Sequence, residues 1–382
     1  MEPLSDVAVR EGGPRLELVK GPEPELTLRR GLLLVIAATA LTGVLAGLGR
    51  LGVLVAWGPR YAFDHGPLLV LGTFGTVIAL ERAVALGRPW AYVAPVLGAV
   101  GAVATLAGIA WAPWAATASA LALVALNAAI VRKQAAAFTA LMLLGSVVLL
   151  LGDALWALGR PVFQVVPTWL GFFVLTIVAE RLELSRLAPT PRQATVALVA
   201  LSALLALTAC AAALGLAASL RPLGVTLGLT ALWQLRFDLA RRTLRRPGLP
   251  RFAATGVMLG AAWLLVTGAL LASRALPPAG PLYDAALHGV FVGYVLSMVF
   301  AHAPIILPAV ARVSVPFSPL LYLPLAVLHL GLLARVAGDL SGSAPLRQGG
   351  AIANAVALGL FALSVVGVRF LGKRGLSPPP RR

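Results

Sequence analysis

Residues 283–308 read YDAALHGVFVGYVLSMVFAHAPIILP. This apolar run is long enough to span a bilayer, yet it holds His288 and His302, two of the four histidines in the chain. An ionisable side chain inside such a run is costly and is a functional candidate by default. Fourteen residues separate the two, which on a helix puts them on nearly one face, roughly 21 Å apart along the axis. Asp284 lies one turn before His288, where its carboxylate is placed to orient the imidazole. A similar opening stands far upstream at 61–66, YAFDHG, with Tyr61, Asp64, His65 and Gly66. Both stretches read as tyrosine and aspartate, then His-Gly, then a long apolar helix.

The composition fixes the class. Of 382 residues, 59% are hydrophobic and 12% charged, which excludes an ordinary soluble protein. The expected fold is all-α, a polytopic membrane protein with the lipid bilayer as its first partner. The net charge of +17 invites a nucleic-acid reading. The basic residues, however, sit in short loops between apolar runs, where Lys and Arg serve orientation, so no nucleic acid is expected. Cys210 is the only cysteine and lies within an apolar run, which excludes a disulfide framework and a thiolate metal site.

Runs of about 18–25 apolar residues are the natural unit. They predict twelve spans, at 31–49, 66–86, 90–111, 113–131, 135–158, 165–183, 194–215, 219–236, 252–273, 283–305, 319–337 and 349–371. Residues 1–30 and 372–382 are read as cytoplasmic tails flanking one transmembrane domain, 31–371. With both ends inside, the outer loops hold seven basic residues: Arg50, Arg60, Arg160, Arg221, Arg274, Arg335 and Arg347. The other 24 of 31 fall on the cytoplasmic side, six of them between Arg236 and Arg251. That asymmetry supports an even number of spans in the inner membrane with both termini cytoplasmic. It places His65 and His288 at the outer ends of the second and tenth spans. His329 falls in the middle or outer half of the eleventh, and His302 towards the inner end of the tenth.

Short similarities recur along the chain. The first, fifth and ninth spans end in AGLGR (Arg50), WALGR (Arg160) and LLASR (Arg274), and the second and sixth end in IALERAV and IVAERLEL. These suggest three consecutive four-helix units, 31–134, 135–251 and 252–371, arranged in a ring.

In such a ring His65 and His288 occupy equivalent positions at one depth on facing helices. Two neutral imidazoles opposed across a gap between apolar helices hold a bis-histidine haem, whereas one helix-end histidine alone reads as an interfacial cap. The paired motif favours the ligand reading. The glycine after each histidine, Gly66 and Gly289, with Gly72 and Gly293 further along, is then read as room for a flat macrocycle. Arg50 and Arg274 precede the two histidines by fifteen and fourteen residues and are candidates for the haem propionates, or else snorkelling anchors. Tyr61 and Asp284 complete the candidate set. His302 and His329 are single histidines in apolar helices, either structural or further metal ligands. Glu81–Arg82, Glu180–Arg181 and Glu183 cluster at the inner ends of the second and sixth spans and read as a proton entry or, as helix-end charge pairs usually are, as a lock between neighbouring units. Asp153 is an isolated acid and a candidate for proton handling. Trp57, Trp111, Trp114, Trp156 and Trp169 read as an interfacial aromatic belt.

Ala286-Leu287-His288-Gly289, followed by Gly293 and Met298, together with the His65-Gly66 start of the second span, resembles the NnrS-type membrane proteins. That resemblance implies twelve spans, haem (b-type) and copper as cofactors, and a link to the nitric oxide response. The three-by-four plan is also similar to the catalytic subunit of haem-copper oxidases, where a bis-histidine haem is gripped between the second and tenth helices. This implies a haem-dependent oxidoreductase with a quinol or cytochrome as electron donor. The chain departs from that pattern, because its sixth and seventh spans hold no histidine to bind copper. A secondary transporter of a small solute, or a non-catalytic sensor or assembly protein on the same scaffold, stands as the alternative.

Overall fold

The computed structural model describes residues 23–53, 61–187, 190–216, 220–273 and 279–373. Among the described residues twelve long helices follow one another: α1 (Glu23–Arg50), α2 (His65–Leu86), α3 (Pro89–Leu106), α4 (Ala112–Lys133), α5 (Ala137–Ala157), α6 (Val162–Leu184), α7 (Arg192–Ala213), α8 (Leu220–Phe237), α9 (Leu249–Ser273), α10 (Pro281–Ala311), α11 (Pro319–Ser341) and α12 (Ala344–Lys373). No strand forms among the described residues. Eleven of these helices are long and apolar enough to cross a bilayer, and the protein is an all-α polytopic membrane protein. The exception is α8, whose 18 residues include Arg221, Gln234 and Arg236.

Helix ends follow local chemistry. α2 and α11 stop at Gly87 (φ 66°) and Gly342 (φ 72°), left-handed positions that a side chain would strain. α1 starts at Glu23, before the apolar run that begins at 31, so it takes in residues read from sequence as tail. The reason is local pairing. Arg29 bridges Glu25 one turn earlier at 3.2 Å and donates to the Tyr92 hydroxyl of α3 at 2.7 Å.

Each helix packs against its neighbours in the chain, and α1 meets α12, which closes the ring. α1 also touches α3, and α5 touches α7, so α2 and α6 are pressed inward, where both reach α10. These three helices are the ones a four-helix period would make equivalent. In α6, 83% of the most apolar window is buried, against 56% or less in every other span, which sets α6 on the axis. One phenylalanine from each inner helix meets there edge to face: Phe74 with Phe173 at 6.3 Å and Phe173 with Phe291 at 6.0 Å between ring centres.

α8 is held by shape. Gly224 and Gly228 lie against Gly268 and Ala272 of α9, so the two backbones touch. A Cβ on Gly268 would fall 2.5 Å from the Gly228 nitrogen. Gly268→Ala is therefore expected to force α8 and α9 apart and to cost about 1–3 kcal/mol. The check is thermal unfolding of the purified protein in detergent, where an unchanged midpoint would contradict this close approach.

Candidate functional site

His65 opens α2 and His288 ends the first two turns of α10, so each histidine stands at the start of an inner helix. Their rings lie 6.2 Å apart between centres with planes inclined by 18°. The same backbone device follows both. Leu68–Gly75 and Gly289–Leu296 are π-helical, eight residues each. A π segment widens the turn and frees carbonyls from the usual i→i+4 ladder, and such segments are frequent at functional sites. The Thr73 and Thr76 hydroxyls donate to the Leu68 and Leu71 carbonyls of this stretch at 2.9 and 3.1 Å, and the Thr76 N–H also bonds to the Leu71 carbonyl.

The two imidazoles are oriented alike. His65 Nδ1–H donates to the Gly43 carbonyl of α1 at 2.7 Å. His288 Nδ1–H donates to the Asp284 carbonyl at 2.8 Å, with the Asp284 carboxylate at 3.2 Å. A nitrogen that faces a carbonyl must carry the proton, so each neutral ring keeps its Nε2 lone pair. Among the described residues neither Nε2 has a hydrogen-bond partner. The His65 ring lies on Gly47, where a Cβ would come within 2.5 Å of Cε1. Sequence reading passed over Gly43 and Gly47, although their four-residue spacing is the small-xxx-small signal of close helix approach.

Asp284 is fixed in turn. Arg335 of α11 grips it with both fork nitrogens, at 2.8 and 2.9 Å. Arg335 had no special place in the sequence reading, because a bidentate partner fifty-one residues away leaves no local pattern. Arg50, at the end of α1, is exposed and donates to the Ala62 carbonyl at 3.4 Å. Tyr61 begins the turn that leads into α2, its carbonyl accepting from the Asp64 N–H at 2.9 Å. Partial burial raises the Asp64 carboxyl above its ordinary value. Arg274 lies outside the described residues, as does Trp57.

The remaining candidates stand elsewhere. His329 is enclosed between Trp263 and Ser297: its Nδ1 accepts from the indole N–H at 3.0 Å, and its Nε2 lies 3.1 Å from the Ser297 hydroxyl. Both ring nitrogens are thus engaged. His302 sits at the opposite end of α10, Nδ1 donating to the Met298 carbonyl at 2.8 Å and Nε2 3.3 Å from Arg181. Arg181 belongs to a buried fork with Asp238, at 2.8 and 2.6 Å. Beside it Arg82 of α2 bridges Glu81 at 2.7 Å and Glu180 of α6 at 3.4 Å, as the expectation of a pair locking inner helices together requires. Among the described residues no three His, Cys, Asp or Glu side chains gather as a metal site.

Three expectations are corrected. Gly72 and Gly293 do not open a slot beside the histidines. A Cβ on Gly72 would meet Ala102 of α3, and one on Gly293 would meet Trp263 of α9, so both glycines serve helix packing. Trp169 is fully buried and donates to Asp153 at 2.8 Å, whereas Trp111 and Trp114 are about half exposed as belt residues should be. Asp153, read as isolated, therefore has a partner.

The donor set fits one resident group. The two imidazoles, 6.2 Å apart between ring centres, are the side chains that would hold a metal-centred group. Two neutral imidazoles with Nδ1–H tied to carbonyls are the usual state of axial haem ligands. The fold and site thus define a class: a polytopic helical membrane protein with paired histidines at one end of its inner helices. Within that class the chain belongs to the family described as domain of unknown function DUF8744, which it matches over residues 29–370. No curated protein and no solved structure matches it.

Proposed function

We propose that the protein binds one haem between α2 and α10, with His65 and His288 as its axial ligands, and serves a redox role in the membrane. The observation that carries this reading is the pair itself: two equally oriented imidazoles, 6.2 Å apart, each with no hydrogen-bond partner at Nε2 among the described residues. A bound haem supplies one-electron redox chemistry. The protein's own part is to hold both rings in one tautomer, through Gly43 and Asp284, and to fix Asp284 with Arg335. A haem held by both His65 and His288 would supply electron transfer with a quinol or cytochrome partner. Handling of nitric oxide follows from the NnrS resemblance. No copper site is proposed, since His329 is engaged at both nitrogens and His302 lies at the far end of α10.

The test is a reduced-minus-oxidised visible spectrum of protein purified from a haem-sufficient host. A low-spin bis-histidine spectrum at about one haem per chain is the expected result. Protein with no haem band would overturn the reading and hand it to the transporter alternative.

Location in an inner membrane with both termini cytoplasmic belongs to the same proposal and rests on the distribution of Lys and Arg. Reporter fusions after Lys20 and after Lys373 are expected to report the cytoplasm, and one after Pro278 the opposite side. Termini on opposite sides would refute this topology.

A further inference from the structure

A second polar feature lies apart from the histidine pair, in a cavity of about 30 Å³ between α2, α3, α4 and α5. Asp153 lines it, together with Thr105, Ser119, Trp156 and the backbone of Gly98 and Gly101. We propose that this cavity is a binding site for one small monovalent cation of sodium size, with the Asp153 carboxylate as its charged ligand.

Asp153 is 1% exposed, within the apolar part of the bundle. Its Oδ1 accepts from the indole of Trp169, itself fully buried. Among the described residues its Oδ2 has no hydrogen-bond partner, and no Arg, Lys or His pairs with the carboxylate. An ionised carboxylate in such surroundings needs a counter-charge or a proton.

The wall of the cavity says which kind of guest it takes. The Thr105 hydroxyl donates to the Gly101 carbonyl at 2.9 Å, and the Ser119 hydroxyl donates to the Ala94 carbonyl at 2.8 Å. With their hydrogens spent, both oxygens keep lone pairs to offer. One carboxylate oxygen and two hydroxyl oxygens therefore present acceptors, which suits a hard cation and disfavours an anion. Gly98 keeps this wall tight, since a Cβ there would fall 2.7 Å from the Thr76 hydroxyl and 3.2 Å from that of Ser119.

Size and charge narrow the choice further. A cavity needs roughly 10–15 Å³ to hold one water, so the space here suits a bare ion with a water and excludes an organic cation. A single carboxylate balances a single positive charge. A divalent ion would leave an uncompensated charge buried, which is unfavourable.

The experiment is thermal unfolding of the purified full chain in detergent at fixed pH and ionic strength, with N-methylglucamine chloride replaced stepwise by lithium, sodium, potassium or ammonium chloride. The expected result is a saturable rise of the midpoint with sodium, larger than with potassium, and its loss in Asp153→Asn. Should Asp153→Asn fail to fold, Ser119→Ala keeps the carboxylate and removes one oxygen ligand, and is expected to shift the sodium midpoint about tenfold upward. Equal midpoints in all five salts would overturn the proposal. A midpoint that is equal in all the salts but shifts when the series is repeated at a second pH would also overturn it, because Asp153 would then carry only a proton. Neither outcome depends on the haem spectrum, so this site and the histidine pair fail or stand separately.

Discussion

His65→Ala and His288→Ala are each expected to abolish the haem spectrum or convert it from low-spin to high-spin, while His302→Ala and His329→Ala leave it in place. The contrast follows from what each ring touches. His65 and His288 have one nitrogen tied to a carbonyl and the other without a hydrogen-bond partner among the described residues, and their ring centres lie 6.2 Å apart. His329 has both nitrogens engaged, and His302 sits beside Arg181 at the other end of α10. Removing either axial ligand opens a coordination position, so bound haem should also gain affinity for carbon monoxide that the parent protein lacks. Two milder variants separate ligation from packing. Gly47→Val places atoms where the His65 ring lies and should lower haem content without touching a ligand. Asp284→Asn weakens the carboxylate bond to His288 Nδ1–H, makes the ring a poorer base and should raise the midpoint potential. If both histidine variants retain the parent spectrum, the pair is not a haem site. Size-exclusion profiles of the purified variants would exclude misfolding as the cause of any loss.

The largest expected effect on stability is at Arg181. Its fork to Asp238 spans the end of α6 and the connection after α8, with side chains only 6% and 1% exposed. Arg181→Met leaves the Asp238 carboxylate buried without its partner, and breaking a buried pair in this way costs about 3–5 kcal/mol. The double replacement Arg181→Met with Asp238→Leu removes both charges and should recover most of the loss, because a buried pair gains little over well-packed apolar residues of similar volume. Thermal unfolding in detergent distinguishes the two cases. A double variant as unstable as the single one would mean that Arg181 acts chiefly through His302, from which it lies 3.3 Å. Asp238 also accepts from the Ala240 N–H at 2.7 Å, so some deficit should remain in the double variant.

How much of this was legible in the chain depends on how far apart the partners lie. Apolar runs and their flanking charges are local, and they alone determined that the protein is all-helical and membrane-spanning and where its helices fall, with ends up to eight residues off, as at Glu23 of α1. The paired Tyr/Asp/His-Gly openings are local too, so the two histidines stood out before any geometry was known. The π turns that follow them did not, because hydropathy cannot tell a 3.6-residue turn from a wider one. Tertiary structure alone decided that α2, α6 and α10 form the axis, that Gly43 supplies the carbonyl for His65, and that Arg335 is committed to Asp284. It also turned Gly72 and Gly293 towards neighbouring helices and buried Trp169 against Asp153. The physical reason is common to all of these. In a bundle where nearly every residue is apolar, the pattern along one helix fixes that it inserts. Which face meets which neighbour is set by a few glycines and polar groups whose partners lie tens to hundreds of residues away.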